Sequence, residues 1–435
     1  MKLSYIKNSF LKTINSMSSN VETFVKRPGI DFTRNRKCSF CDLILCLLLM
    51  ESHSTSRELR RFFKGRNKAI ISNSAFIQQR DKINEDAFPF LFSAVNEIVP
   101  FRKTFYGYHL LAVDGSDINI PPLKGDTSTC VKSNTKGVCY HQLHLNAVYD
   151  ILEERYTDIL IQPRATFDER RAFLDFLSRN PFSGKSIYTA DRGYFSNNVL
   201  ALLYSSAYSF VLRMRNPNST NSFLSRFDLP DCDEFDIMLD FSFTRSHRNI
   251  YSKNPAKYVC IRKDRPFDLI DENDKDSLYP IRVRLVKVML PSGLPEYLIT
   301  NLPKESFDAN KIKEIYRLRW GIETSFCYLK YNVGLVYFHS IRRDFIIQEI
   351  YARVILYNLT RLLINCVSLP KKNTKHRQKI SVADAVVTCR DFLIYRFKNE
   401  EIHSLLTRYV TPIRLNRSFY RRKHTKQFVS LTNRL

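Results

Sequence analysis

The spacing of apolar and polar positions divides the chain into regions of different character. Between residues 38 and 100 the pattern is helical. Ser39–Met50 is a largely apolar stretch, long enough to predict a buried helix. Ser54-Thr55-Ser56 is a capping cluster ahead of Arg57-Glu58-Leu59-Arg60-Arg61-Phe62-Phe63, and Gly65 marks a stop. Ser72-Asn73-Ser74 caps a further segment, Ala75-Phe76-Ile77-Gln78-Gln79-Arg80. Short helices with Arg and Gln on the last two suit either a helix-turn-helix-like DNA module or a plain helical bundle with solvated charges.

From about residue 106 the period shortens to that of strands. Tyr108–Val113 is apolar and runs into Asp114-Gly115-Ser116-Asp117. Gln142–Leu152 and Tyr156–Ile161 read as strands joined at the turn-like Glu153–Arg155. Thr166 and Asp168 open a helix through Phe173–Leu177. Ser186–Ala190 is a strand ending at Asp191-Arg192-Gly193, Asn197–Leu203 starts a helix, and Tyr208–Met214 is a further strand. Three strands followed by alternating helices and strands predict an α/β fold with a mixed sheet.

Residues 216–290 differ again, with short strand candidates at Tyr258–Ile261 and Val283–Leu290 and acidic turns at Asp231–Asp236 and Asp271–Asp276. Those turns lack the glycine and spacing of a calcium loop. Tyr297–Asn301 resumes the core, and Ser306 or Asp308 caps a long helix from about Ala309 to Tyr331. A further helix is expected around Ile346–Asn365, and basic clusters follow at Lys371–Lys379 and Arg421–Lys423.

Charge adds a partner. The 435 residues carry 68 Lys and Arg against 43 Asp and Glu, a net charge of +25, which points to a polyanion and first to nucleic acid. The excess is loaded at the ends: residues 1–100 carry +7 and residues 331–435 carry +14, whereas 216–290 balance at 12 of each sign.

The apolar run Leu43–Met50 is far shorter than the roughly 20 residues a membrane span needs. The first residues lack a signal-peptide layout, so a cytoplasmic, nucleoid-associated protein without a membrane partner is expected. In that compartment the 10 cysteines read as reduced thiols. Cys38 and Cys41 form one C-x-x-C, with Cys46 beyond, but a structural zinc site wants four ligands. Cys130, Cys139, His141 and His144 are a second candidate group, spread over both faces of an expected strand.

Two aspartates share a context: Asp114 and Asp191 each end an apolar strand and precede a glycine within two residues. Each could simply cap a turn. Functional groups in open α/β sheets also collect at such strand ends, and paired carboxylates there favour Mg2+ or Mn2+. The long helix carries Tyr316, Arg319, Glu323 and Lys330, which at 100° per residue fall within roughly 60° of one face. Trp320, Ile322, Phe326 and Leu329 fill the other side. Ion pairing between Arg319 and Glu323 would explain part of this stripe, but not the two strand-end aspartates.

The pattern Tyr316-x-x-Arg319-x-x-x-Glu323 followed seven residues on by Lys330 resembles the YREK signature of DDE transposases of the insertion-sequence-four (IS-four) family. Leu111-Ala112-Val113-Asp114-Gly115-Ser116 resembles that family's first-aspartate motif, and Ala190-Asp191-Arg192-Gly193-Tyr194 its second. The motifs stand in the family's order, and the resemblance covers about residues 38–365.

The resemblance implies a ribonuclease-H-like catalytic core interrupted by a mostly β insertion, with a helical N-terminal domain and a helical, basic C-terminal region. On this reading residues 1–100 bind DNA and 101–215 begin the core. Residues 216–295 form the insertion, 296–365 complete the core with the Glu-bearing helix, and 366–435 are the basic tail. Asp114, Asp191 and Glu323 are then the catalytic and metal-holding residues, with two Mg2+ or Mn2+ ions. Tyr316, Arg319, Lys330, Arg192 and Tyr194 are expected on DNA. The family's stacking Trp after the second motif has no counterpart, since Trp320 lies on the helix itself, and Tyr194 or Phe195 is the substitute. The implied partners are double-stranded DNA at terminal inverted repeats and at the target, bound by a homodimer. The implied reaction is cut-and-paste transposition of an insertion sequence, with a hairpin intermediate in this family. A domesticated, non-catalytic DNA-binding derivative is the alternative.

Overall fold

The structure, a computed structural model, describes residues 2–34, 36–132, 139–179, 182, 185–206, 208–370, 375–395, 397–413 and 430–431. The cluster Arg421–Lys423 and part of Lys371–Lys379 lie outside them.

Five helices precede the sheet: α1 (Leu3–Ser19), α2 (Phe40–Leu49), α3 (Thr55–Gly65), α4 (Asn73–Arg80) and α5 (Ala87–Glu97). The α2 helix is apolar nearly all round and correspondingly buried. Its start is fixed by a capping box in which Ser39 accepts from the Asp42 amide and Asp42 accepts from Ser39. No helix was expected before residue 38. Yet Leu3, Ile6, Phe10, Ile14 and Met17 recur at helical spacing and are the buried stripe of α1.

The sheet follows: β1 (His109–Ile120), β2 (Cys130–Lys132), β3 (Cys139–Asp150), β4 (Arg155–Pro163), α6 (Glu169–Ser178), β5 (Ser186–Ala190), α7 (Asn197–Ser205) and β6 (Ser209–Met214). Then come β7 (Phe235–Thr244), the short α8 (Asn249–Ser252), β8 (Tyr258–Cys260), β9 (Tyr279–Met289) and β10 (Pro295–Thr300). All ten strands join one mixed sheet in the order β2-β3-β1-β5-β6-β10-β9-β7-β8, with β4 on β3. The strands of the neutral stretch extend this sheet, because β10 returns antiparallel to β6.

Two apolar cores cover the two faces, and strand alternation assigns residues to them. Leu110 and Ala112 of β1 join the core of the N-terminal and C-terminal helices. Leu111 and Val113 join the opposite core, built with α6, α7 and β7.

The remaining helices are α9 (Ala309–Leu318), α10 (Trp320–Cys327), α11 (Arg343–Asn365), α12 (Val382–Ile394) and α13 (Asn399–Arg408). The expected single helix 309–331 is therefore articulated. Arg319 keeps helical dihedrals between α9 and α10, and a wider π-type turn, Tyr328–Val333, ends at Gly334 with φ 96°. The 23-residue α11 is buried along most of its length and packs against α2, α5 and α12, so the first and last helices share one core. Arg80 is part of that junction. At 2% exposure it donates to Gln348, Glu349 and the Phe345 carbonyl, so it is not presented to DNA. Among the described residues no helix is long and apolar enough to cross a membrane.

Candidate active site

The register of β1 creates the site. Its parallel pairing with β5 runs from His109↔Ser186 to Val113↔Ala190, so the next residues on the two strands are Asp114 and Asp191. The sequence led us to expect β1 to end at Asp114. Instead β1 continues to Ile120, because β3 remains paired with it through Ile120↔His141. It is β5 that ends, and the gap beside β1 becomes the site. Asp114 falls on the face of Leu110 and Ala112, toward α10.

Helices α9 and α10 bring the third carboxylate. The Arg319 guanidinium lies 3.0 Å from Asp114 Oδ2 through Nη1 and 2.9 Å from Glu323 Oε1 through Nη2. The Tyr316 hydroxyl donates to Asp191 Oδ1 at 3.3 Å. Thus Asp114, Asp191 and Glu323, distant in sequence, converge on two neighbouring side chains of one helical segment. Lys330 Nζ donates to the Asp117 carbonyl at 2.8 Å, fastening that segment to β1.

Electrostatics follow from the Arg319 cation set between two acids, Asp114 and Glu323, with Asp191 as a third acid nearby. Burial raises the Asp114 carboxyl to about 6; Arg319 pulls against this, while Glu323 and Asp191 add to it. Burial opposes the charge on Arg319, yet Tyr316, Asp114 and Glu323 together raise its pKa. The two partners thus shift in opposite senses for their charged forms. Arg319 is a cation facing several acceptors, whereas Asp114 shares that cation and also feels two like charges. Burial raises the Tyr316 phenol and lowers the Lys330 ammonium.

Other expected contacts are placed differently. Arg319 and Tyr316 are 5% and 6% exposed and directed at carboxylates rather than outward. Tyr194 is buried, with its hydroxyl donating to Asn146 Oδ1 at 3.1 Å. Phe195 packs edge-on against Phe223, Trp320 is half exposed on α10, and Arg192 is exposed beside Asp191.

Arg213 on β6 was not singled out by sequence. It reaches Asp191 Oδ1 at 3.6 Å and Glu296 Oε1 at 3.3 Å. The available signal was a charge interrupting the apolar strand Ser209–Met214.

Among the described residues, no three His, Cys, Asp or Glu side chains form a ready metal cage. The cation between Asp114 and Glu323 is the Arg319 guanidinium itself. Cys41 donates to Ile14 O and Asn15 Oδ1, and Cys38 and Cys46 are buried free thiols. Cys130 is disulfide-bonded, which corrects the all-reduced reading; the β2–β3 hairpin lays two stretches of chain side by side there. The Cys139 side chain lies outside the described residues.

Fold and site together define a mixed α/β protein with a carboxylate-centred site at an interrupted strand pair. Its family follows from comparison. The family model described as Transposase DDE domain matches residues 106–359, more than half of the chain, and the chain belongs to that family. Among solved structures it is similar to the cryo-EM structure of a piggyBac transposase synaptic complex with hairpin DNA. That similarity has 13% identity and a TM-score of 0.41, and covers 92% of this chain and 77% of that one. No curated protein matches the chain.

Proposed function

We propose that this chain is a DNA transposase that excises an element and joins it to target DNA by cut-and-paste, metal-dependent phosphoryl transfer. The observation that carries this reading is the convergence of Asp114, Asp191 and Glu323 around Arg319 and Tyr316, within the segment matched by the family model. The strand order β4-β3-β1-β5-β6, antiparallel on one side of β1 and parallel on the other, supports a ribonuclease-H-like core. The Tyr, Arg, Glu and Lys positions favour the IS-four group within the family.

The donor set fits divalent metal. All three ligands are carboxylates, the Arg319 guanidinium pairs with two of them, and burial together with the neighbouring Glu323 and Asp191 raises the Asp114 carboxyl, so a further cation would be welcome there. Asp114, Asp191 and Glu323 would hold two Mg2+ or Mn2+ ions, which when bound polarise the scissile phosphate and lower the pKa of an attacking water. The protein's own side chains hold that constellation. Arg319 bridges and neutralises Asp114 and Glu323 in the metal-free protein, Tyr316 and Arg213 hold Asp191, and Lys330 anchors the helix to β1. Arg192 is the exposed cation beside Asp191 and is assigned to a DNA phosphate.

The basic flanks grip double-stranded DNA at the terminal repeats, with residues 1–100 recognising ends and residues 366–435 assisting, in a homodimer on paired ends. The test is incubation of the purified chain with DNA carrying the inverted repeats that flank its gene. Specific cutting at the element ends in Mg2+ or Mn2+, absent in EDTA, is expected. Specific binding without cutting under every metal condition would favour the non-catalytic derivative.

A further inference from the structure

Behind the carboxylates, on the other face of the sheet, lies a second polar cluster that sequence reading did not connect to the site. Alternation puts Gly115 and Asp117 on the face of Val113, opposite Asp114. His144 on β3 stands across from Asp117 and is 4% exposed. Its Nδ1 is 2.6 Å from Asp117 Oδ1, which fixes the ring, and Phe167 packs on it at 4.5 Å. Asp117 is also held by Arg164 at 2.9 Å. The other ring nitrogen, Nε2, has no hydrogen-bond partner and faces Glu169 Oε1 at 3.5 Å, ion-pair distance. Glu169 opens α6, just after the Asp168 cap.

The two glycines of the aspartate motifs both close on this pair. A Cβ on Gly115 would stand 2.3 Å from His144 Nε2 and 3.0 Å from the Tyr194 hydroxyl, so no side chain fits after Asp114. A Cβ on Gly193 would stand 3.1 Å from Glu169 Oε2. Arg170, next to Glu169, donates to the Gly193 carbonyl at 3.4 Å. One partner of the pair therefore abuts the backbone following Asp114, and the other abuts the loop following Asp191. Gly115 is bare because backbone and His144 approach too closely for a methyl group, while at Gly193 a methyl group would press on the Glu169 carboxylate and require it to shift by a few tenths of an ångström. Burial disfavours charge on His144, but Asp117 and Glu169 more than offset it and raise its pKa.

We infer that His144 and Glu169 form a positioning clamp that sets the separation of the Asp114 and Asp191 loops and thereby their joint affinity for divalent metal. The clamp touches neither DNA nor a reacting atom; it acts through the two motif glycines. This rests on the transposase reading and adds two positioning residues to it. Residues that orient metal ligands from behind are worth roughly 10- to 100-fold in affinity or activity.

The test uses full-length protein with element-end DNA, and Mn2+ binding to the complex with pre-cleaved ends measured by electron paramagnetic resonance. His144→Gln, Glu169→Gln and the double variant are each expected to raise the Mn2+ concentration for half-maximal cutting about tenfold. Mn2+ binding should weaken by a similar factor, excess Mn2+ should restore the rate, and DNA affinity should stay unchanged. The double variant should lose no more than the worse single one, because the pair acts as a unit. Mn2+ midpoints within twofold of wild type, or losses that multiply in the double variant, would overturn the clamp. So would losses that follow the melting temperature alone. Should His144→Gln not fold, Glu169→Gln, at the less buried end of the pair, reads the same quantities. Wild-type protein that neither binds Mn2+ nor cuts would overturn the transposase reading itself.

Discussion

Arg319 bridges Asp114 and Glu323, at 3.0 and 2.9 Å, and so occupies the space between two carboxylates proposed to share metal. A guanidinium there neutralises the acids in the DNA-free protein and competes with any other cation. Arg319→Ala is expected to tighten Mn2+ binding to DNA-free protein, measured by titration calorimetry, by about tenfold, or ~1.4 kcal/mol. Cutting should nevertheless fall. Weaker Mn2+ binding in the variant would mean that Arg319 aligns the ligands and does not compete for their site.

Asp114 carries a stability cost that depends on pH. Its pKa is raised from 3.8 to about 6 in the folded chain, mainly by burial. A raised carboxyl imposes no penalty below the unfolded value; the penalty grows as pH climbs through the folded value. Asp114→Asn should therefore stabilise the metal-free protein by up to about 3 kcal/mol near pH 7.5 and by nothing near pH 4. Melting temperatures at the two pH values check this, and a gain at pH 4 as large as at pH 7.5 would contradict it.

The Arg80–Glu349 ion pair joins α4 to α11 in the interior, with side chains 2% and 1% exposed. Burial alone raises Glu349; Arg80 and His339 reverse this and bring it down to about 2. Its contribution is present above the unfolded value of 4.5 and is lost as pH falls toward 2. Arg80→Ala removes the guanidinium from buried Glu349, leaving it the His339 contacts, and should cost about 3–5 kcal/mol by urea denaturation at pH 7. An unchanged midpoint, with DNA binding weakened instead, would return Arg80 to a DNA-reading role.

Tyr194→Phe removes only the hydroxyl that donates to Asn146. The expected loss is about 0.5–1.5 kcal/mol of stability, with DNA affinity unchanged. Because Phe stacks as well as Tyr, the separating variant is Tyr194→Ala, which for a stacking residue would weaken DNA binding without a matching loss of stability.

Much of the core could be read in the sequence because its elements carry local signals. The strand Ser186–Ala190 is apolar and bounded by turns, and the caps at Ser39, Ser72 and Asp308 mark helix starts. Asp114, Asp191 and Glu323 were legible because they sit in spaced motifs. The extension of β1 past Asp114 was not, since only the partner strand β3 holds that polar stretch in register. Arg319 carried a local ion-pair signal toward Glu323, but its second bond to Asp114 is purely tertiary. His144 was legible only as a member of a possible metal group with Cys130, Cys139 and His141, and its pairing with Glu169 was not legible, because their meeting depends on α6 folding back over β3.

Asp114, Asp191 and Glu323 are proposed together to carry metal-dependent DNA cleavage. The most direct measurement compares strand cleavage of element-end DNA by wild type with Asp114→Asn, Asp191→Asn and Glu323→Gln, alongside DNA binding by gel shift. Each variant should lose cutting by roughly 1000-fold or more in Mg2+ or Mn2+ while still binding the ends. Full cleavage retained by any one of the three would contradict the account.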